Sequence, residues 1–415
     1  MSARVPANLM LVVFGPFAAG YFLSYFFRNV NAVISKDLAA EFSLTPSDLG
    51  FLTSMYLLAF AAFQLPLGVL LDRYGPRRVV AALLCVAAAG AITFALARDF
   101  ATLSIGRALI GLGVSAAFMG AIKAFTLWFP LSRLATLNGL YLAAGSLGAV
   151  SATAPAEALL GPFGWRALFM LLCALSVGAA ALVFFVVPEK ELPGEGQTLR
   201  QQIAGFGAIF ASTPFWRIAL PLVVCQAGYL TLQGLWLGPW LYDVAGETRQ
   251  GVANYLFATA LAYMAGSIFF GAGADRLAQK GVSRMTTFKL GLCVSVAMFV
   301  LLAARVQTGL GAILAVYGFT AISGALAYAL LTPLFAPELT GRLSTASNVL
   351  MFLFSFAFQW GVGAVLRLYP VADGRYAPEG YSAALAILAA LQLATLAWLL
   401  PMRLADAAPA AQPRL

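Results

Sequence analysis

The sequence predicts an all-α polytopic membrane protein with twelve transmembrane helices in two pseudo-symmetric six-helix bundles. Three observations carry that reading. Apolar residues make up 62% of the 415 and charged residues only 10%, against roughly 25% charged in soluble domains. Apolar stretches follow one another with short polar punctuation, each of the roughly 20 residues a helix needs to cross a hydrocarbon core of about 30 Å. Finally, Gly68-Val-Leu-Leu-Asp72-Arg73-Tyr-Gly75-Pro-Arg77-Arg78 returns as Gly271-Ala-Gly-Ala-Asp275-Arg276-Leu-Ala-Gln-Lys280-Gly281-Val-Ser-Arg284, with Asp275 203 positions after Asp72. A second pair, Arg133-Leu-Ala-Thr and Arg342-Leu-Ser-Thr, recurs at an offset of 209. Two repeats at nearly the same offset, close to half the chain, mark two related halves.

The segments are expected at 9–33, 48–71, 79–97, 102–129, 134–158 and 165–187 in the first half. Those of the second half are 215–242, 252–272, 285–304, 307–335, 343–368 and 382–402. The first is too long for a cleavable signal, and no small-residue cleavage site follows it. A barrel is excluded, because barrel strands alternate over about 10 residues and these runs do not. Residues 1–188 are expected to form one bundle and 214–404 the other. The polar, Pro- and Gly-containing stretch 189–213 is the linker, with a short interfacial helix near Leu199–Phe210. The loop Tyr369–Tyr381 reads as a simple turn region, and the Ala/Pro-rich tail 405–415 as disordered.

Loop charges give an orientation. With both termini inside, fifteen of the 25 Lys and Arg residues fall on the inner side, seven on the outer, and Arg28, Arg107 and Lys123 within segments. That bias satisfies the positive-inside rule. The net charge of +9 is therefore a topology signal, and no nucleic-acid partner is expected. The chain has no histidine, and Cys85, Cys173, Cys225 and Cys293 all lie in apolar segments, where they read as small fillers. Neither a metal-ligand pattern nor a phosphate-cradling loop is present. No metal, cofactor or catalytic residue is expected; the partners are a small solute and the lipid bilayer, and the unit is a monomer.

The paired Gly-x-x-x-Asp-Arg loops after segments two and eight, the six-plus-six plan and the central loop resemble the major facilitator superfamily over essentially the whole chain. Arg107-Ala-Leu-Ile-Gly111-Leu-Gly113 is similar to that family's helix-four signature, whereas the helix-five Gly-Pro pair is missing. Tyr21-Phe-Leu-Ser-Tyr25-Phe-Phe-Arg28-Asn29, followed by Asp48-Leu49-Gly50, resembles the organophosphate/phosphate antiporter branch. The second arginine of that branch has no midmembrane counterpart in segment seven, which holds only Arg217 at its cytoplasmic mouth, so the resemblance implies an anion rather than phosphate. It implies a secondary transporter in an inner membrane, working by alternating access at a midplane site. Export of amphipathic drugs, or a non-transporting sensor that kept the fold, are the rival expectations.

Arg28 is the sharpest single residue, because a charge inside a membrane helix costs at least a few kcal/mol and is usually functional. Tyr21, Tyr25, Arg28 and Asn31 share one helical face. Lys123 either faces a cavity or snorkels inward. The second half offers neutral polar stripes: Gln226, Tyr229 and Gln233 on segment seven, Asn348 and Gln359 on segment eleven. These ten are the candidate substrate contacts. Asp72, Arg73, Arg77 and Arg78, with Asp275, Arg276 and Arg284, are expected to latch the bundles by pairing across helix ends. Arg107 is assigned to packing or a gate. No Asp or Glu falls at mid-depth, which leaves no evident buried proton carrier.

Overall fold

The structure is a computed structural model that describes residues 7–190, 206–336, 339–372 and 374–402. Ten spans are long and apolar enough to cross a membrane. One of them, Pro46–Ala95, is 50 residues long and turns back at Gly75, whose φ of 79° only glycine adopts freely. It therefore supplies two helices, and Leu131–Ser151 brings the number to twelve among the described residues. Helix α1 starts with a π turn at Met10–Phe14 and continues through Gly15–Asn29 and Asn31–Phe42. Next come α2 (46–74), α3 (76–95), α4 (Phe100–Trp128), α5 (131–163, broken by a turn at 152–153) and α6 (165–186), the last two separated by Gly164 at φ 72°. The second half holds α7 (Thr213–Asp243), α8 (Arg249–Gln279), α9 (Arg284–Ala303), α10 (Leu310–Leu334), α11 (Thr340–Leu366) and α12 (Pro378–Leu399).

The repeated loop has a backbone cause. In its first copy the chain reverses at Gly75, and in its second, between α8 and α9, at Gly281 with φ 91°. Local sequence also sets helix starts. Thr45 and Asp48 form a reciprocal capping box at the head of α2, with Thr45 N–H to Asp48 Oδ2 at 3.0 Å and Asp48 N–H to Thr45 Oγ1 at 3.2 Å. Asp99, Thr248 and Ser283 cap α4, α8 and α9 in one direction only, each side chain accepting from the N–H three residues on.

Segment ends differ from the expected ones where helices outrun their apolar stretch. Helix α1 continues past 33 to Phe42 and stops at Ser43, in the left-handed region at φ 52°. Helix α5 runs on to 163 rather than ending at 158. The extra turns of α1 carry Lys36, Asp37 and Glu41, so a hydropathy criterion cuts them off, whereas those of α5, 159–163, are apolar and follow the charged Glu157. The loop after α11 is more than a turn: Val371–Ala372 and Arg375–Tyr376 pair as antiparallel strands β1 and β2. A short helical piece occupies 206–210. The rest of the expected interfacial helix, and the tail at 405–415, lie outside the described residues.

Most helices turn apolar side chains outward as well as inward, and Phe185 (78% exposed), Leu11 (75%) and Ile268 (65%) are examples, whereas α7 is almost wholly buried. A soluble protein would hide such residues, whereas a bilayer solvates them. The face holding the 72–78 loop and the ends of α6 and α12 is called the motif face below, and the opposite one the far face.

Candidate functional site

The two halves meet along a seam formed by α1, α2 and α5 on one side and α7, α8, α10 and α11 on the other. Two glycines bring backbones together near the far face. A Cβ on Gly50 of α2 would lie 2.7 Å from the Gln359 carbonyl oxygen of α11, and one on Gly238 of α7 2.4 Å from that of Ala32 in α1. The close approach explains why glycine stands at both positions. Asp48-Leu49-Gly50 thus supplies a helix cap, a core side chain and a point of contact.

Ion pairs lock the same face. Lys36 Nζ lies 2.7 Å from Asp243 Oδ1, and the side chain of Asp243 is fully buried. Its other oxygen accepts from the Tyr381 hydroxyl at 2.8 Å and the Tyr376 N–H at 3.3 Å. Arg249 donates to both oxygens of Asp37, at 2.9 and 2.8 Å, and its Nε donates to Glu157. Lys36, Asp37 and Glu157 belong to the first half; Asp243, Arg249, Tyr376 and Tyr381 belong to the second. Burial and the neighbouring Asp243 carboxylate push the Tyr376 hydroxyl up to about 12, so it stays protonated across the physiological range.

The seam holds a cavity of about 570 Å³ beside these far-face ion pairs, lined by Lys36, Tyr242 and Arg249, and a second one toward the motif face. This second cavity, of about 390 Å³, runs from Tyr25, at the middle of α1, to Arg284, at the start of α9. Tyr25, Leu142 and Ser146 line it from the first half, and Tyr263, Ser267 and Phe270 from the second. One turn beyond Tyr25 stands Arg28, 9% exposed. Its guanidinium carbon lies 4.6 Å from the Tyr25 ring centre, 5.5 Å from Phe60 and 5.0 Å from Phe352 of α11. Phe60 and Phe352 are themselves 4.2 Å apart across the seam. Among the described residues no carboxylate pairs with Arg28, and its Nε is buried without a hydrogen-bond partner. Arg28 does not snorkel to a surface; it is enclosed by rings at mid-helix.

Aromatic stacks carry the walls on both sides. Tyr21 stacks on Tyr141 at 4.4 Å, and its hydroxyl donates to that of Tyr25 at 3.4 Å. Opposite, Tyr229 stacks on Tyr263 at 4.4 Å, and the Gln226 amide donates to the Tyr263 hydroxyl at 2.8 Å. Tyr328 approaches Asn348 at 3.5 Å. Tyr21, Tyr25, Arg28, Gln226, Tyr229 and Asn348 thus converge on one region of the seam.

Four of the expected contacts lie elsewhere. Asn31 donates to Thr53 at 3.0 Å and stitches α1 to α2. Gln233 donates to the Leu256 carbonyl at 3.1 Å, within the second half. Gln359 is 2% exposed, and its backbone oxygen accepts from the Trp236 indole at 2.8 Å. Lys123 pairs with Asp72 at the motif-face end of α4, because a long run of that helix separates it from Arg107, which reaches the Phe27 carbonyl beside Arg28. Arg107 is fully buried, donates to the Phe27 carbonyl at 3.0 Å and stacks over Tyr56.

The expected latch also differs. Asp72 pairs with Lys123 rather than with Arg77 or Arg78, both of which reach Glu189. The reversal at Gly75 swings the two arginines toward the end of α6. All these partners belong to the first half, so in this state the first loop copy joins no halves. Arg73 stacks on Tyr74. Arg276 is exposed, and Arg284 lines the cavity mouth. The side chain of Asp275 lies outside the described residues.

Tyr263, Phe60 and the far-face lock were missed from the sequence. Thr259, Tyr263 and Ser267 have the i, i+4 spacing that singled out helix seven, and would have flagged Tyr263. The lock joins residues 207 and 212 positions apart and has no local signal.

Comparison with known proteins places the chain by sequence and by fold. A probable sulfoacetate transporter of Cupriavidus necator is 26% identical over 67% of this chain and 67% of its own length. The hexuronate transporter of Escherichia coli K12 is 25% identical over 57% of this chain and 58% of its own length. A probable nitrate/nitrite antiporter of Thermus thermophilus is 26% identical over 81% and 87%. Among solved structures, a bacterial homolog of the human lysosomal transporter Spinster, inward-facing and unoccupied, superposes with a TM-score of 0.71 over 95% of both chains at 17% identity. The nucleoside transporter NupG superposes with a TM-score of 0.75 over 94% of this chain and 100% of its own, at 11% identity. The family profile described as Major Facilitator Superfamily matches residues 17–359. With that match, the twelve-helix seam and the paired loops, the chain belongs to the Major Facilitator Superfamily of integral, multi-pass membrane transporters.

Proposed function

We propose that this protein moves a small organic anion across an inner membrane by alternating access, with Arg28 as the residue that holds the anionic group. The observation that carries this is the Arg28 environment. A buried charge on a membrane helix costs at least a few kcal/mol, while each ring contact returns up to about 2 kcal/mol when desolvated. Three rings offset part of the cost, and an anion entering from the cavity supplies the rest. Tyr21, Tyr25, Tyr229 and Tyr263 suit an organic body beside that anionic group, with Gln226 and Asn348 as neutral donors. Three relatives are named for sulfoacetate, hexuronate and nitrate or nitrite, all anions, which supports the same class.

The Lys/Arg bias of the loops makes the motif face cytoplasmic. The locked far face and the cavity reaching the motif face then correspond to an inward-open state. Counterflow in proteoliposomes loaded with a sulfonate, a uronate, nitrate and a neutral sugar tests the reading. Exchange of at least one anion and none of the sugar is expected; exchange of the neutral solute alone would overturn it.

A further inference from the structure

A strongly basic cavity lies away from the seam. It lies on the motif face, about 270 Å³ in volume, between the α2–α3 turn, the end of α4 and the end of α6. Four cations line it, Arg73, Arg77, Arg78 and Lys190, against one carboxylate, Glu189. Glu189 already serves both Arg77 and Arg78. Arg77 Nε also donates to the Phe184 carbonyl at 2.7 Å, which fixes its guanidinium plane. Lys190 sits 5.1 Å from the centre of the Trp128 ring and donates to the Leu127 carbonyl. The nearby Asp72–Lys123 pair is internally neutral. The excess of positive charge is therefore held by fixed contacts rather than scattered on free side chains.

Position identifies the ligand's surroundings. Tyr74, 46% exposed, and Trp128 rim the cavity at a helix-end level where aromatic side chains mark the membrane–water boundary. Directly along α6, Phe184, Phe185 and Val186 are exposed, Phe185 at 78%, and such residues face acyl chains. Arg77 and Arg78 also stand in the first turn of α3, and a helix N-terminus favours an anion. A basic pocket between helix ends, with aromatic rings at its rim and an apolar wall continuing into the bilayer, matches a lipid with an anionic head. We infer that this cavity binds the phosphodiester headgroup of an anionic phospholipid, with Arg78 and Lys190 as its principal charges. No residue of the second half lines it. A site confined to one half is not exposed alternately to the two sides, so it is a lipid site and not a second transport site.

Native mass spectrometry of the full chain in detergent, titrated with phosphatidylglycerol or phosphatidylcholine, tests the inference. One phosphatidylglycerol is expected to be retained well after other lipid has dissociated. In Arg78→Gln/Lys190→Gln its affinity should fall about tenfold or more, while phosphatidylcholine adducts stay the same. The charge-conserving Arg78→Lys/Lys190→Arg protein should keep it, which separates charge from folding. Equal retention of the two lipids, or unchanged retention in the neutralised variant, would overturn the site. Displacement of the lipid by millimolar inorganic phosphate would overturn the headgroup assignment in favour of a free-phosphate site.

Discussion

The two faces of this protein are both rich in charge, yet they use it differently. On the motif face Asp72, Lys123, Arg77, Arg78 and Glu189 pair inside the first half. On the far face Lys36, Asp37, Glu157, Asp243 and Arg249 pair across the halves. Where both partners are described, every ion pair joining the halves is on the far face. A charged motif announces that a face matters, but the conformational lock is wherever the partners straddle the seam. In an alternating carrier one face must be closed while the other is open, and the contrast shows which face is closed here.

The largest test acts on the seam between the two faces. Arg28→Ala removes the one mid-seam guanidinium that no described carboxylate neutralises, and anion counterflow should fall about 100-fold or more while the protein stays folded. Loss of the charge also removes a burial cost, so thermal stability should hold or rise slightly. Normal counterflow by a folded Arg28→Ala protein would remove the anion site.

A middle-sized effect is expected from Asp243→Asn. The carboxylate is fully buried and Lys36 is 35% exposed, which discounts the pair to about 1–2 kcal/mol. That is roughly a tenfold shift toward the state open on the far face. A single cysteine at Val33 should label faster from that side, and the exchange Lys36→Asp with Asp243→Lys should restore slow labelling. If the exchange labels like Asp243→Asn, the pair is not the lock.

The smallest effect belongs to the motif face. Asp72 and Lys123 are 33% and 24% exposed at their side chains, and both ride on the first half. Asp72→Asn should change labelling at Val33 by less than about threefold in this state, since partly hydrated pairs contribute roughly 0–1 kcal/mol. A shift as large as that of Asp243→Asn would mean that the loop latches the halves after all.

Twelve helices in two halves were legible because apolar length and an internal repeat are properties of single segments. Arg28 was legible for the same reason: a lone base in an apolar run stands out without knowledge of its neighbours. Its depth was not, because α1 extends to Phe42 through residues that hydropathy discards. Lys123 could not be placed until Asp72 was seen beside it, and Asn31, Gln233 and Gln359 have the chemistry of a lining residue but the contacts of helix packing. Polar stripes on membrane helices serve both purposes, and only the position of the seam separates them. The far-face lock depends on pairings between distant segments, which no local pattern records.

The isolation of Arg28 from any described carboxylate has an electrical consequence. If Arg28 holds the substrate as proposed, the empty seam carries a positive charge, and loaded with a monovalent anion it carries none. As access switches, Arg28 exchanges contact with one aqueous side for the other, so its unneutralised charge is the one that feels the membrane potential, at up to about 2.3 kcal/mol per 100 mV for the full field. Anion-for-anion exchange should then proceed at a rate indifferent to voltage, while net one-way flux, which requires the empty carrier to return, should follow it. Current recordings on supported membranes distinguish the two modes, and equal voltage dependence in both would show that Arg28 is neutralised throughout the cycle.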